Sequence, residues 1–352
     1  MSEFIEDIST CFRTLITPAK LFKLLPLPPK IGKQVISARL AASQIMQGQD
    51  KRLLVIVGPC SIHDYAAALE YAHLLKKAAA FYADELLIVM RVYFEKPRTN
   101  LGWKGLIRDP YLNGSFDINH GLSLARKLLL DLGNLALPAA TEFLDTITPQ
   151  YLSDLISWSA IGARTSESQT HREFASGLAM PVGFKNTTDG NVQIAIDAVQ
   201  AARHPHHYLS IAATGVTAIV VTPGNPNCHI VLRGAKHATN YSVTHIRDAV
   251  NALKKANLPA HLMVDCNHGN SSKNYLQQNY VVDSLAEQMA SGANAICGVM
   301  IESNLVAGKQ QLEGKNLVYG QSITDGCISW DDTLIALEKL AYARLGNKLR
   351  SG

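Results

Sequence analysis

Eight apolar runs of this sequence each end beside a side chain that can bind a metal ion or an anion. The residues at these ends are Cys60, Arg91, Glu142, Arg164, Lys185, Arg233, His268 and Glu302, and Asp325 stands in the loop after the last run. Each is weak evidence alone, because a lone buried cysteine is usually a small hydrophobic residue. The same arrangement at all eight ends indicates a functional site.

Four of these residues offer a mixed set of sulfur, nitrogen and oxygen donors: Cys60, His268, Glu302 and Asp325. Such a set suits a borderline transition metal. Magnesium and calcium are disfavoured, because both prefer shells made of oxygen atoms alone. We therefore predict one divalent metal ion, with manganese, iron, cobalt and zinc all compatible with these donors.

A second group of predicted site residues is basic. Its members are Arg91, Lys96, Arg98, Lys104, Arg164, Lys185 and Arg233. So many cations around one site would repel one another unless anions lay between them, and arginine binds phosphate or carboxylate through two parallel hydrogen bonds. The predicted substrate is therefore polyanionic, and two phosphorylated molecules fit the number of cations. A metal beside phosphates indicates polarisation of a carbonyl or activation of water.

The apolar runs alternate with helical patterns, which is typical of βα units around a parallel sheet. The runs cover residues 53–58, 86–91, 137–142, 160–165, 181–186, 229–234, 261–268 and 295–303. Eight strands, each followed by a helix, predict an α/β fold of the (β/α)8 TIM-barrel type, in which the carboxyl ends of the strands meet on one face. A doubly wound open sheet gives the same alternation and remains the alternative.

Two segments depart from this alternation. Residues 1–50 predict an N-terminal arm and a helix that ends at Gly48, ahead of a barrel over residues 51–348. The runs HYLSIAA and VTAIVVT, joined by Thr214-Gly215, predict a β-hairpin inserted over residues 206–228, before the sixth strand. Helix starts are predicted at Asp64, at Ser242 and at Thr148-Pro149, the last opening a helix that runs to Trp158.

Composition excludes several classes of protein. The chain has 352 residues, and its net charge of +4 is too small to indicate a nucleic-acid or membrane surface. No basic stripe with interleaved aromatic residues is present. The six cysteines form no CxxC pair, and no apolar run approaches the roughly 20 residues of a membrane span. The N-terminus lacks a signal-peptide pattern, so we predict a cytoplasmic protein.

Several stretches resemble the type I 3-deoxy-D-arabino-heptulosonate-7-phosphate (DAHP) synthases. The matching stretches are GPCSIHD, MRVYFEKPRT, GWKGL, GARTSESQTHRE, PVGFKN, HIVLRG, SSK and SITD, and the resemblance runs from about residue 15 to 345. It implies a 3-deoxy-7-phosphoheptulonate synthase that condenses phosphoenolpyruvate with erythrose 4-phosphate and water to DAHP and phosphate. This reaction opens the shikimate pathway of aromatic amino acid biosynthesis.

The resemblance also assigns roles to residues. It implies metal ligation by Cys60, His268, Glu302 and Asp325, the set reached above from the strand ends. Binding of erythrose 4-phosphate falls to Arg98 and Thr99, and Lys96 is expected to handle protons near the aldehyde, with Cys60 and His268 as the other catalytic residues. Phosphoenolpyruvate would contact Arg91, Lys96, Glu142, Arg164, Lys185 and Arg233.

Family members are commonly inhibited by an aromatic amino acid and commonly assemble as dimers or tetramers. The matching effector positions are Asp7, Pro149, Gln150, Leu178, Ala179, Tyr208 and Ser210. Serine at position 210 favours phenylalanine, because it fills the volume that the hydroxyl of tyrosine would need. Ala179 and the stretches SWSAIGARTSESQTHRE and DCNHGN favour tyrosine, so both effectors remain open, with phenylalanine first.

Two departures from the family pattern and three alternatives complete the sequence-based expectations. Thr187 replaces a usual glycine, which would cost about 1 kcal/mol if the backbone there had positive φ, and AATG (212–215) lacks a usual polar residue. The alternatives are a 3-deoxy-octulosonate 8-phosphate synthase-like enzyme, a metal-independent Schiff-base aldolase using Lys185, and a non-catalytic sensor of aromatic amino acids.

Overall fold

The computed structural model describes residues 11–98, 102–312 and 316–350, with side chains to residue 346. The strands are β1 (Leu53–Gly58), β2 (Leu86–Arg91), β3 (Ala139–Glu142), β4 (Trp158–Ile161), β5 (Val182–Lys185), β6 (His206–Ile211), β7 (Thr217–Thr222), β8 (Cys228–Leu232), β9 (Leu262–Asp265), β10 (Ile296–Glu302), β11 (Val306–Lys309) and β12 (Gln321–Ser322). The helices are α1 (Pro18–Leu24), α2 (Pro29–Met46), α3 (Tyr65–Phe81), α4 (Ile118–Asn134), α5 (Pro149–Leu152), α6 (Gln169–Ala175), α7 (Val192–Ala202), α8 (Val243–Lys255), α9 (Gln277–Ala290) and α10 (Trp330–Arg350).

Eight parallel strands close into a barrel in the order β1-β10-β9-β8-β5-β4-β3-β2. The ring closes between β1 and β10, the first and last barrel strands along the chain, where Gly58 pairs in register with Glu302. The predicted (β/α)8 barrel is confirmed, and the open sheet is excluded because every barrel strand has two neighbours. All eight carboxyl ends therefore lie on one face of the molecule.

Apolar side chains fill two regions of this barrel. Alternate residues of β1 separate them: Leu54 and Ile56 belong to a cluster with Trp158 and Met263, while Val55 and Val57 pack with the surrounding helices. This alternation follows from the period of two along a strand. The second half of α2 also joins the first cluster, through Ala42, Ile45 and Met46, so the N-terminal helix closes the end of the barrel opposite the strand ends.

Local signals placed most helices correctly. Asp64 caps α3 by accepting a hydrogen bond from Ala67 N, and Ser242 caps α8. Gly48 ends the α2 segment with φ of +75°, a conformation that glycine adopts without steric cost. None of the helices in the described ranges is both long and apolar enough to cross a membrane.

Two predicted boundaries in the stretch from Thr148 to Thr165 were wrong. The helix opened by Thr148-Pro149 ends at Leu152 and continues only as a short 3-10 turn over Ser153–Leu155. Strand β4 then begins at Trp158, earlier than the predicted 160–165. The stretch after Ile161 is a turn instead, because Thr165 N and Ser166 N donate hydrogen bonds back to Gly162 O.

The inserted hairpin consists of β6 and β7, paired antiparallel from His206–Thr222 to Ile211–Thr217. Its turn is longer than the predicted Thr214-Gly215 pair: Ala212 N bonds to Val216 O, and Gly215 has φ of +85°. Cys228, the last residue of the predicted insertion, is already the first residue of barrel strand β8. The N-terminal arm reaches this turn, since Ala19 N donates to Ala213 O.

Candidate active site

Three of the four predicted metal ligands lie together at the seam where the barrel closes. The donor atoms of Cys60, Glu302 and Asp325 all lie within 4.8 Å of one another. Cys60 follows β1, Glu302 ends the adjacent β10, and Asp325 approaches from the loop after β12. His268 stands at the edge of this group, with Nε2 3.8 Å from Glu302 Oε1. The structure thus brings all four predicted residues to one place.

The protonation states of these donors suit a bound cation. Burial and the charge of Glu302 raise the pKa of Cys60 to about 11, so the thiol keeps its proton unless a metal replaces it. Burial acts to raise the pKa of Glu302 as well, but Arg91 and His268 outweigh burial and lower it. Ionised carboxylates beside a thiol and an imidazole form a donor set that fits a divalent transition metal.

A buried carboxylate orients His268. Asp265, at the end of β9, is fully buried, and its Oδ2 lies 2.9 Å from His268 Nδ1, though without the angle of a regular hydrogen bond. His268 itself has φ of +58°, a strained conformation for a residue with a side chain. With Nδ1 turned toward the carboxylate, Nε2 is the nitrogen that faces the donor cluster.

Two further carboxamide side chains hold Glu302. Asn267 donates to Glu302 Oε2 at 2.6 Å. Gln278, at the start of α9, bonds both the N–H and the carbonyl of Glu302. Sequence reasoning missed Asp265, Asn267 and Gln278, although the first two stand next to His268 in DCNH, directly after an apolar run.

Arg91 and Lys96 connect the donor cluster to the rest of the barrel. Arg91 is fully buried, and its nitrogens contact Glu302 Oε1 at 2.7 Å, Pro59 O, Cys60 O and Met300 Sδ, while the Tyr93 ring lies 3.4 Å away. Lys96 Nζ lies 3.1 Å from Cys60 Sγ. Burial alone would lower the pKa of Lys96, but Cys60 and Glu302 raise it, so Lys96 carries a proton.

A cationic cleft with an empty volume of about 750 Å³ opens beside the donor cluster. Besides Asp325, seven predicted site residues line it: Lys96, Arg98, Glu142, Arg164, Lys185, Arg233 and His268. Asp325 lines it as well, so the cleft reaches the candidate metal site. Arg91 lies buried below these residues, and Lys104 is exposed and does not line the cleft. Thr99 lies outside the described residues.

Two residues of this cleft are held in place by neighbours. Lys185 Nζ bonds Asp265 Oδ2 at 2.7 Å. Glu142 packs against Gly162, where an added Cβ would come within 2.2 Å of Glu142 Oε1. Glycine is therefore required at position 162 for the carboxylate to stay where it is.

The predicted effector residues lie where three segments meet. Ser210 Oγ, on β6, donates to Thr146 O at 2.6 Å, shortly before Pro149 and Gln150. Asn225 Nδ2 bonds Leu178 O, next to Ala179, and Tyr208 lies on the same side of the hairpin as Ser210. Tyr151 Oη bonds Ile16 O of the N-terminal arm. Asp7 lies outside the described residues.

Thr187 causes no backbone strain, contrary to the conditional expectation from the missing glycine. It is not among the residues with positive φ; that conformation occurs at Gly190 instead. The hydroxyl of Thr187 donates to Asp189 and accepts from Asn191 N at 3.1 Å. The threonine therefore stabilises the turn after β5.

Comparison with known proteins identifies the family. The profile of the DAHP synthetase I family matches residues 30–338. The chain belongs to this family. A Phe-sensitive phospho-2-dehydro-3-deoxyheptonate aldolase of Escherichia coli K12 is 55% identical over 94% of this chain and 95% of its own length. A Trp-sensitive relative from the same strain is 53% identical over the same shares. A solved aldolase of this name from Francisella tularensis SCHU S4 superposes with a TM-score of 0.94 at 50% identity, covering 97% of this chain and 99% of that one.

Proposed function

We infer that this protein has DAHP synthase activity, joining phosphoenolpyruvate to erythrose 4-phosphate and releasing inorganic phosphate. The observation that supports this most strongly is a cleft that is lined by a group of cations and reaches a mixed metal-donor set, in a chain of the DAHP synthetase I family. The cations match a pair of phosphorylated substrates in charge. The metal donors match a reaction in which an aldehyde must be polarised.

The proposed reaction is an aldol-like condensation. C3 of phosphoenolpyruvate attacks the aldehyde carbon of erythrose 4-phosphate, water adds at C2, and phosphate leaves as its C–O bond breaks. One divalent ion, which Cys60, His268, Glu302 and Asp325 would hold, would supply polarisation of the aldehyde. Manganese, iron, cobalt and zinc all fit this donor set.

The side chains of the cleft supply binding, charge and a proton. Arg164, Lys185 and Arg233 would neutralise the phosphate and carboxylate of phosphoenolpyruvate, with Glu142 beside them. Arg98 and Thr99 would bind the aldose phosphate. Protonated Lys96 would donate to the oxygen of the aldehyde as negative charge develops there. Arg91 would act from below by holding Glu302 and the Cys60 carbonyl.

The test is phosphate release with both substrates, with EDTA-treated protein and with Mn²⁺ restored. We expect release only with metal and only with erythrose 4-phosphate. A preference for arabinose 5-phosphate would favour the octulosonate alternative, and EDTA-resistant turnover trapped by borohydride would favour the Schiff-base alternative at Lys185. Full turnover in Lys96→Met would remove Lys96 from the proposed proton transfer.

Feedback inhibition by an aromatic amino acid belongs to the same proposal, with phenylalanine ahead of tyrosine. The support is the meeting of the hairpin, the α5 segment and the N-terminal arm around Ser210 and Tyr151. Initial rates with each amino acid separately test it. Inhibition by tyrosine alone would overturn the preference, and Ser210→Gly should increase sensitivity to tyrosine because it frees volume.

We also propose a homodimer or homotetramer that uses the outer face of the hairpin. Leu209, Ile219 and Val221 are 79%, 70% and 67% exposed on that face, and a second copy of the chain would cover them. Light scattering on the wild type and on Leu209→Lys/Val221→Lys checks the assembly. The proposed location is the cytoplasm, where both phosphorylated substrates would be retained by their charge.

A further inference from the structure

Asp265 contacts both halves of the site through one oxygen atom, which accepts a hydrogen bond from Lys185 and makes a close electrostatic contact with His268. Its Oδ2 lies 2.7 Å from Lys185 Nζ, in the anion cleft, and 2.9 Å from His268 Nδ1, beside the metal donors. Oδ1 accepts the backbone N–H of Asn267 at 3.0 Å. The carboxylate is fully buried, so water does not compete for these contacts. Asp265 is none of the residues assigned above to the metal or the substrates.

The two partners of Oδ2 compete for the same negative charge. An anion that draws Lys185 toward the cleft leaves more of that charge for His268 Nδ1. A carboxylate on Nδ1–H makes the other nitrogen of an imidazole a better metal ligand. Conversely, a cation bound at Nε2 would make Nδ1–H more positive. It would thereby strengthen the attraction between Nδ1–H and Asp265 and weaken the bond between Asp265 and Lys185. Binding of an anion near Lys185 and binding of a cation at His268 would therefore each favour the other.

We propose that Asp265 is a positioning residue that couples the metal site to the enolpyruvate site, so that each ligand tightens the binding of the other. The proposal rests on the function inferred above and adds a residue and a binding linkage to it. By thermodynamic reciprocity, phosphoenolpyruvate must lower the Kd of the metal by the same factor as the metal lowers the Kd of phosphoenolpyruvate.

The test is titration of metal-free protein with Mn²⁺ alone, followed by electron paramagnetic resonance, with and without saturating phosphoenolpyruvate. In the wild type, we expect phosphoenolpyruvate to lower the Kd of Mn²⁺ about fivefold or more. In Asp265→Asn, the Kd without phosphoenolpyruvate should rise about 10- to 100-fold. The effect of phosphoenolpyruvate should then fall below about twofold. An unchanged effect in this variant would overturn the proposal.

Asn267→Ala is the matched control. Asn267 bonds Glu302 Oε2, a metal donor, and its side chain has no bond to Lys185. This variant should bind Mn²⁺ more weakly but keep the wild-type effect of phosphoenolpyruvate. Loss of that effect in Asn267→Ala would mean that any damage to the metal site abolishes coupling, and would count against a specific role of Asp265.

Lys185→Met provides a second test that needs no phosphoenolpyruvate and no folded Asp265 variant. Without Lys185, His268 is the only one of these two partners left to Asp265 Oδ2. The imidazole should then be a better metal ligand, so Mn²⁺ should bind more tightly than in the wild type. Arg164→Met removes a cation from the same cleft and measures the general effect of charge. A gain in Lys185→Met no larger than in Arg164→Met would overturn the proposal.

Failure of this inference is distinguishable from failure of the proposed function. If wild-type protein releases phosphate from both substrates while phosphoenolpyruvate leaves the Kd of Mn²⁺ unchanged, the function stands and the coupling is wrong. If no phosphate is released with any of the four metals, the function itself is wrong.

Discussion

Glu95→Gln tests how strongly burial controls charge next to the site. Glu95 precedes Lys96 and is 2% exposed; its Oε1 bonds Arg108 Nε at 3.1 Å, and Oε2 has no hydrogen-bond partner. Burial, together with the charge of Asp145, raises the pKa of Glu95 from 4.5 to about 7. The folded protein therefore keeps this proton at pH values where the unfolded chain has lost it.

The sign and size of the effect follow from this difference. A raised carboxyl pKa adds stability that is fully present below about pH 4.5 and is lost as the pH rises through about 7. At about 1.4 kcal/mol per pKa unit, the total is about 3 kcal/mol, of which about 2.5 kcal/mol is lost between pH 5 and pH 8. Glutamine does not titrate, so Glu95→Gln lacks this loss.

The assay is urea unfolding of wild type and Glu95→Gln at pH values from 5 to 8. We expect the free energy of unfolding of the wild type to fall relative to that of the variant by about 2.5 kcal/mol over this range. Glu287→Gln, at an exposed position on α9, should follow the wild type. Parallel curves for wild type and Glu95→Gln would refute the reasoning, whatever the absolute stability of the variant.

Three further substitutions test other parts of the structure. Cys60→Ala removes the sulfur donor and should weaken Mn²⁺ binding by more than about 100-fold, since loss of a supporting contact alone costs about 10- to 100-fold; Cys297→Ala, at another buried thiol, should leave the Kd unchanged. Gly162→Ala places a Cβ against Glu142 and should raise the KM for phosphoenolpyruvate with little change in stability, and an unchanged KM would exclude Glu142 from that site. Arg126→Met breaks bonds at 2.8 Å to Asp154, Leu25 O and Tyr151 O and should cost about 2–3 kcal/mol of unfolding free energy. Lys339→Met, which breaks an exposed pair with Asp283, should cost less than about 1 kcal/mol, and equal losses in the two variants would contradict the assigned role of burial.

Most of the fold could be predicted from the sequence because its signals are local. The buried runs in β1 and β10 are continuous and mostly apolar, as expected for strands covered on both sides. Asp64 and Ser242 are N-cap residues that indicate where α3 and α8 begin. The region from Thr148 to Trp158 was misjudged because proline after threonine indicates only where a helix starts. Its end depends on the register in which Trp158 pairs with Ala140 of β3.

The residues of the candidate site could be predicted, but not their partners. Strand ends revealed Cys60, His268 and Glu302, since in a barrel such ends share one face. The bond from Arg91 to Glu302 joins residues 211 positions apart, and that from Lys185 to Asp265 joins residues 80 positions apart. No local pattern encodes such pairs, so the sequence predicted contact between Arg91 and phosphoenolpyruvate but not the burial of Arg91 against Glu302.

The seam between β1 and β10 makes the metal-donor cluster dependent on the whole chain. Cys60 and Asp325 are separated by 265 positions, and they approach only when the last barrel strand docks beside the first. A nascent chain still lacking β10 has no complete donor set, however well its earlier βα units have formed. Binding of metal would therefore report the final step of folding. A bound metal ion would also stabilise the pairing of β1 with β10, where the first and last strands of the barrel meet, against separation.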